Sequence, residues 1–254
     1  MSANLITSGL LLQLDANDSD SYPGTGTAVY DLTNNYDHTL TSGATFANLD
    51  GVKCFDCTTG SKRVVVNGTG PTLPTNGYTY ITWARLINNN SGFRTLLYTK
   101  EPVRYTPITI QNGGSILGYW DTPNSEFISS GYDASALQGV WAQFAIVGDS
   151  VSQKFYVNDS LTGSEIAYGV GGKEHWGWGN NNVPQPWGHI ANLYVYNRKL
   201  SLSEIQEQYN FLSSRFIGTP PSHTSDCDPR FDMHAYGDEC GEDRFRRLRL
   251  LGYI

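Results

Sequence analysis

The stretch His175–Ile190, HWGWGNNNVPQPWGHI, holds three tryptophans among glycines, asparagines and prolines. Together these residue types can bind sugar. An indole face stacks on the apolar side of a pyranose ring, and amides exchange hydrogen bonds with its hydroxyls. The candidate contact residues are His175, Trp176, Trp178, Asn180, Asn181, Asn182 and Gln185. The competing reading is that the same tryptophans close the core of the fold.

Other chemistry finds less support. Glycoside hydrolysis needs two carboxylates flanking one bond, and a two-residue step on a strand would put both on one face. Before the helix described below, the glutamates are Glu101, Glu126, Glu165 and Glu174, and none has an acid two residues away. Asp18 and Asp20 have that spacing but lie in a loop, and Asp226 and Asp228 lie in the tail. No nucleophile elbow, zinc-protease helix motif or phosphate loop occurs. The sequence therefore predicts no enzyme.

Asp15, Asn17, Asp18 and Asp20 cluster oxygens as a calcium loop does, but the glycine and terminal glutamate of an EF-hand are absent. The preferred reading is a solvated turn in which Asp and Asn act as caps. No cofactor is expected, and calcium at Asp15, Asp18 and Asp20 is the weak remaining candidate. Cys54 and Cys57 form a C-x-x-C in a strand-like stretch, without the helix N-terminus that lowers a thiol pKa in redox motifs. Cys227 and Cys240 are too far apart to supply the second close pair of a zinc site. Reduced structural thiols are expected first, and one or two disulfides second.

Loops that carry such residues must be held by a scaffold, and here the scaffold reads as strands. Short apolar or alternating runs recur at Leu10–Leu14, Lys62–Val66, Tyr78–Ile87, Arg94–Tyr98, Ile108–Gln111, Ile116–Tyr119, Val140–Val147, Gln153–Val157 and Ala191–Asn197. Turn-rich segments such as Asp15–Gly26, Asn88–Gly92 and Gly169–Gly188 separate them. In Trp141–Val147 both faces are apolar, as in a sheet covered on both sides. One helix is predicted, from Leu202 to about Arg215. Ser201 and Glu204 make a capping box, and Leu202, Ile205, Tyr209, Leu212 and Phe216 form one apolar stripe to lay on a sheet. Asn34–His38 reads as a plain turn.

The chain has 254 residues, of which only 16% are charged and 13% aromatic, and it holds 27 glycines. That composition suits one large β domain with a sizeable core. The net charge of −7 argues against a nucleic-acid surface. No apolar run is long enough to span a membrane. The first residues lack the charged start of a secretory signal, so none is expected. Sequons occur at Asn17, Asn67, Asn89 and Asn158 and matter only if the chain meets a glycosylation machinery.

Several segments, in order, resemble the laminin-G-like branch of the concanavalin A-like lectin/glucanase superfamily. Gly9–Asn35 carries Leu-Asp-Ala, Ser-Tyr-Pro-Gly and Tyr-Asp-Leu pieces similar to that branch's opening. Cys54–Val66 is similar to its Phe-Asp-Gly strand, and Tyr78–Leu86 carries the usual central-strand Trp. Trp141–Gly163 looks like its strand pair, with Asp159 where Gly is usual. Gly188–Asn210 is the most specific piece, with the last strand, the Tyr-Asn-Arg turn and the helix cap. The resemblance covers residues 9–216. It implies an all-β, two-sheet antiparallel jelly roll with one C-terminal helix. It also implies that Trp187 is core and Trp178 partly buried, leaving His175 and Trp176 as the residues for exposure. The opening pieces resemble structural proteins of phages and large DNA viruses.

The jelly roll is expected over residues 1–218, and an extended docking tail over residues 219–254. Thr219–Ser222 reads as a linker. Seven acids follow between Asp226 and Asp243, and the last eleven residues hold four arginines and no acid. There Arg244, Arg246, Arg247 and Arg249 alternate with Phe245, Leu248, Leu250 and Leu251. The apolar set would bury and the arginines would pair with acids bidentately. The expectation is a non-catalytic structural or attachment protein of a virion, partnered with capsid or other assembly proteins and with glycan as a candidate ligand. A free carbohydrate-binding lectin is the alternative, and a degenerate glycoside hydrolase comes third.

Overall fold

A computed structural model describes residues 4–87, 92–100, 104–180 and 184–217. Seventeen strands and one long helix make up these residues. The first sheet contains β1 (Leu10–Asp15), β4 (Thr45–Leu49), β5 (Val52–Cys57), β7 (Tyr78–Leu86), β12 (Trp141–Gly148), β13 (Gln153–Val157), β14 (Ser160–Ile166), β16 (Gly188–Ile190) and β17 (Asn192–Tyr196). The second contains β2 (Ala28–Val29), β3 (His38–Thr41), β6 (Arg63–Val66), β8 (Arg94–Thr99), β9 (Tyr105–Ile110), β10 (Ile116–Asp121), β11 (Glu126–Asp133) and β15 (His175–Trp178). Every strand pairing is antiparallel. The helix α1 spans Leu202–Phe216.

In the first sheet, β7 is the hub. It pairs with β12 along its length on one side. On the other side it pairs with β17 over Thr79–Ile81 and with β16 over Ala84–Leu86. The sheet order is β14-β13-β12-β7-β16-β5-β4, with β1 joined through β17. The second sheet runs β11-β10-β9-β8-β15-β6-β3-β2.

Side-chain alternation fixes three layers. Leu12, Leu14, Phe55, Tyr80, Phe144, Ile146, Leu193 and Val195 of the first sheet face Leu40, Val64, Leu97, Ile108, Ile110, Leu117 and Trp178 of the second. The opposite side chains of the first sheet, including Ile81, Trp83, Ala145 and Tyr194, pack beneath α1. This explains why all eight residues of β12 are buried. The helix begins as its sequence predicts: the Ser201 hydroxyl accepts from the Glu204 N–H, and the Glu204 carboxylate accepts from the Ser201 N–H. The expected stripe differs at one end. Leu202 is exposed, and Gln208 is buried instead, because it continues the three- and four-residue steps of Ile205, Leu212 and Phe216.

The predicted runs all fall on strands, and several strands were not anticipated: β2, β3, β4, β11, β14, β15 and β16. Residues 169–188, expected to be loop, contain all of β15 and open β16. The C-x-x-C cysteines are both free and buried. An odd step along β5 sends them to opposite faces, Cys54 beneath the helix and Cys57 between the sheets. That placement rules out a disulfide between them. Burial pushes the Cys54 thiol up to about 12 and Cys57 higher still, so neither is a thiolate near neutral pH.

Candidate functional site

Of the five described residues singled out in the 175–185 stretch, three are buried: His175, Trp178 and Asn180. His175, expected at the surface, is fully buried. It starts β15, and its ring lies between the sheets, 5.6 Å from those of His38 and Tyr80. Trp178, expected to be partly buried, is fully buried. Its ring meets Phe55 edge to face at 6.1 Å, and its indole N–H donates to Thr82 Oγ1 at 3.1 Å. Trp187 is core, as expected, and packs edge-on against Phe144 at 5.0 Å.

The amides serve the loop itself. Asn180 is buried; its Nδ2 donates to the Gly60 carbonyl at 2.8 Å and its Oδ1 accepts from the Gln185 N–H at 2.9 Å. Gln185 ties the segment to β8, its Oε1 accepting from Thr95 Oγ1 at 2.8 Å and its carbonyl from the Thr95 N–H at 2.9 Å. Asn181 and Asn182 lie outside the described residues, as do the tail positions Arg244, Phe245, Arg246, Arg247, Leu248, Arg249, Leu250 and Leu251. Of the predicted contact set, Trp176 and Gln185 retain partial exposure.

Trp176 leads to a different surface, the outer face of the second sheet. His175 and Trp178 both face the core, the register shifts between His175 and Gly177, and Trp176 is left partly exposed outside the core. The register brings further side chains to that face. Trp120 stands between its cross-strand partners Phe127 and Thr106. Tyr119, one residue back, points into the core, which fixes Trp120 outward. Phe93 joins from the approach to β8, 4.9 Å from Trp120 and 6.2 Å from Phe127. All three rings of this cluster are half-buried. Aromatic rings on a strand face present flat apolar area, which sugar stacking uses.

Between this cluster and Trp176 lies Tyr98, opposite Gly177 in the register. A Cβ on Gly177 would sit 2.2 Å from the Tyr98 ring, so glycine is what lets the phenol lie flat on the sheet. The Arg104 guanidinium sits over that ring at 5.5 Å, and Lys100 sits over the Trp176 ring at 5.0 Å. Lys100 also pairs with Glu174 at 3.0 Å. Burial pushes the Tyr98 phenol up to about 12, with the Arg63 and Arg104 charges pulling the other way. Tyr98 and the threonines Thr95, Thr106 and Thr109 are buried, so the partly exposed groups here are the rings of Phe93, Trp120, Phe127 and Trp176 and the cations Lys100 and Arg104.

The turn around Asp15 is built by capping. Asp15 is buried and pairs with Arg215 of α1 at 2.7 Å, while its other oxygen accepts from the Asn17 N–H. Asp18 caps the Asp20 N–H at 2.9 Å. Among the described residues, no group of three or more His, Cys, Asp or Glu is placed to hold a metal. The Asn34–His38 turn is organised by the buried Asp31, whose carboxylate accepts N–H groups from Gln13, Thr33, Asn35 and Tyr36.

Comparison with known proteins agrees with this architecture. A family model described as concanavalin A-like lectin/glucanases superfamily matches residues 58–206. No curated protein matches the sequence. Among solved structures, a Trypanosoma rangeli sialidase in complex with sialic acid is 12% identical, with a TM-score of 0.61 over 85% of this chain and 36% of that one. The botulinum neurotoxin serotype D binding domain is 15% identical, with a TM-score of 0.59 over 79% of this chain and 50% of that one. A botulinum neurotoxin type C structure, concerned with interaction with two ganglioside molecules, is 15% identical with a TM-score of 0.59. It aligns over 80% of this chain and 51% of that one. The chain thus spans about a third of the sialidase and half of the toxin chains. At these identities the likeness is one of fold.

Proposed function

The chain belongs to the concanavalin A-like lectin/glucanases superfamily, and from that membership we propose that it is a non-catalytic recognition module that contacts glycan through the outer face of its second sheet. The observation that carries this reading is the half-buried cluster of Phe93, Trp120 and Phe127 on the outer side of the second sheet. A monomeric fold gains nothing by leaving three adjacent aromatic rings partly in water, whereas a ligand that stacks on them does. The absence of catalysis rests on the sequence, where no glutamate before α1 forms a carboxylate pair at two-residue spacing. Glycosidic cleavage of the usual kind needs such a pair. Similar folds in a sialidase complexed with sialic acid and in a toxin studied for its ganglioside interaction favour a sugar ligand.

We place the module in a virion, as a structural or attachment protein held by its C-terminal tail. The support is the opening sequence and the alternation of arginine with apolar residues after Asp243. A glycan array probed with the full chain tests the ligand. Trp120→Ala and Trp176→Ala should each weaken any positive signal about tenfold or more, equivalent to ~1–2 kcal/mol, with unchanged circular dichroism. An array without signal at high protein concentration would remove the glycan reading. Deleting residues 219–254 should leave a folded body that no longer joins the assembly. Normal incorporation of the truncated protein would refute the tail's role.

A further inference from the structure

Two histidines face each other in the core between the sheets, and neither takes part in the surface described above. His38 and His175 are both fully buried, with Nε2 atoms 3.5 Å apart. They come from strands separated in the sheet by β6. The hydrogen bonds fix their tautomers. His38 Nδ1 lies 2.7 Å from the Tyr36 carbonyl oxygen, so that nitrogen carries the proton and donates. His38 Nε2 is then a bare acceptor. His175 Nε2 must present N–H to it, since two bare nitrogens would repel. This leaves His175 Nδ1 without a proton and, among the described residues, without a partner. The pair is satisfied only while both rings are neutral.

A third proton has no good place. On His38 Nε2 it would set two N–H groups against each other. On His175 Nδ1 it would put a charge on a fully buried ring packed against the rings of Tyr80 and His38. The charged groups that act on His38 are Asp31 and Asp37, which favour its protonated form. Both are already committed: Asp31 to the N–H groups of its own turn, and Asp37 to the Asp31 N–H at 2.9 Å. On His175 the acting charge is His38, which opposes it. Behind Tyr80 stands Tyr78, another neutral phenol.

The strands that would have to give way are weakly held. β3 lies next to the edge of the second sheet, followed only by the two-residue β2. We propose that the His38–His175 pair is an acid-sensitive latch, whose protonation frees β2, β3 and the Asp31–Asp37 turn while the rest of the sandwich stays folded.

Burial holds both rings below the ordinary histidine value of 6.5, with His38 lowered to about 4. A depressed folded value sets the sign. Closure is fully favoured above 6.5, where the opened state is also neutral. It weakens as pH falls from there toward about 4, because only the opened segment takes up protons. The opening equilibrium should rise about tenfold per pH unit for each histidine released.

Hydrogen exchange of the full chain at about pH 7 and about pH 5, corrected for intrinsic rates, reads this directly. Peptides over residues 28–41 should lose protection roughly tenfold to a hundredfold per pH unit, and β7 and β12 should keep theirs. A His38→Gln/His175→Gln double variant should lose that pH dependence. Should it fail to fold, histidine NMR titration of the unmodified chain replaces it: both rings should take up protons together, well below 6.5. Equal protection at both pH values, loss spread evenly over the sandwich, a double variant with unaltered pH dependence, or independent titration near 6.5 would each overturn the latch.

Discussion

Replacing Trp83 with alanine should cost about 3–5 kcal/mol of stability, the range for removing a buried tryptophan. Trp83 sits at the hub strand β7 and is fully buried on the helix side of the first sheet. The Phe216 ring stacks on it at 4.3 Å with planes 5° apart, and Tyr209 stacks at 5.5 Å with planes 20° apart. Both partners belong to α1, so this one indole carries much of the helix's attachment. Its N–H has no partner among the described residues. The loss on mutation is therefore dispersion, apolar burial and a cavity, with no polar bond at stake. Trp83→Phe keeps a ring for the helix to stack on and should cost clearly less. Urea denaturation of the two variants against the parent checks the order, with m-values showing whether the native state stays compact. A cost below about 1 kcal/mol for Trp83→Ala would mean the helix is held elsewhere. Alternative anchors are the ion pair of Arg215 with Asp15 and the contact of Phe216 with Trp141 at 5.4 Å.

The architecture was legible where both faces of a strand are apolar or alternate cleanly, as in Tyr78–Leu86 and Trp141–Gly148. It was illegible where a strand faces water on both sides. In β14, Ser160–Ile166, only the last residue is buried, and nothing in its polar run marks it as paired. β2 has two residues and exists only because His38 and Thr39 offer it partners. The helix was the clearest element, because a capping box and a stripe are local signals.

The site was harder to read, for a reason of range. Whether His175 lies inside depends on His38, 137 residues away, and the indole N–H of Trp178 is satisfied by Thr82, 96 residues away. A window over residues 175–190 contains neither partner. The surface that does carry partly exposed rings was partly within reach. Leu117 and Tyr119 alternate with Gly118 and Trp120, so Trp120 could have been placed on the outer side of β10. Its companions Phe93 and Phe127 come from outside that run, and only the strand order joins them. The C-x-x-C gives the converse case. The strand reading of Cys54–Cys57 already implied opposite faces, and the structure bears that geometry out.

The glycine that follows Trp187 shows how much of the opening motif serves closure of the fold. Gly188 has φ of +145°, a conformation that L residues rarely adopt. It lies in β16 opposite Leu86 of β7 and Cys57 of β5, so backbone approaches it from both sides. A Cβ there would sit 2.1 Å from the Arg85 carbonyl oxygen and 2.9 Å from the Ile87 nitrogen. Neither atom can move without breaking the ladder of the hub strand, where the Ile87 N–H already donates to the Trp187 carbonyl at 2.8 Å. Gly188→Ala should therefore combine backbone strain with overpacking, each about 1–3 kcal/mol, for a total of roughly 2–6 kcal/mol. The damage would spread to Trp187, which depends on the same turn to enter the core against Phe144. Thermal unfolding followed by tryptophan fluorescence separates the two contributions. Strain alone lowers the midpoint and leaves the native spectrum unchanged, whereas displacement of Trp187 also shifts native emission to the red. An alanine variant as stable as the parent would show that β16 can re-register on β7, and that the Trp-Gly pair is not what closes this end of the sandwich.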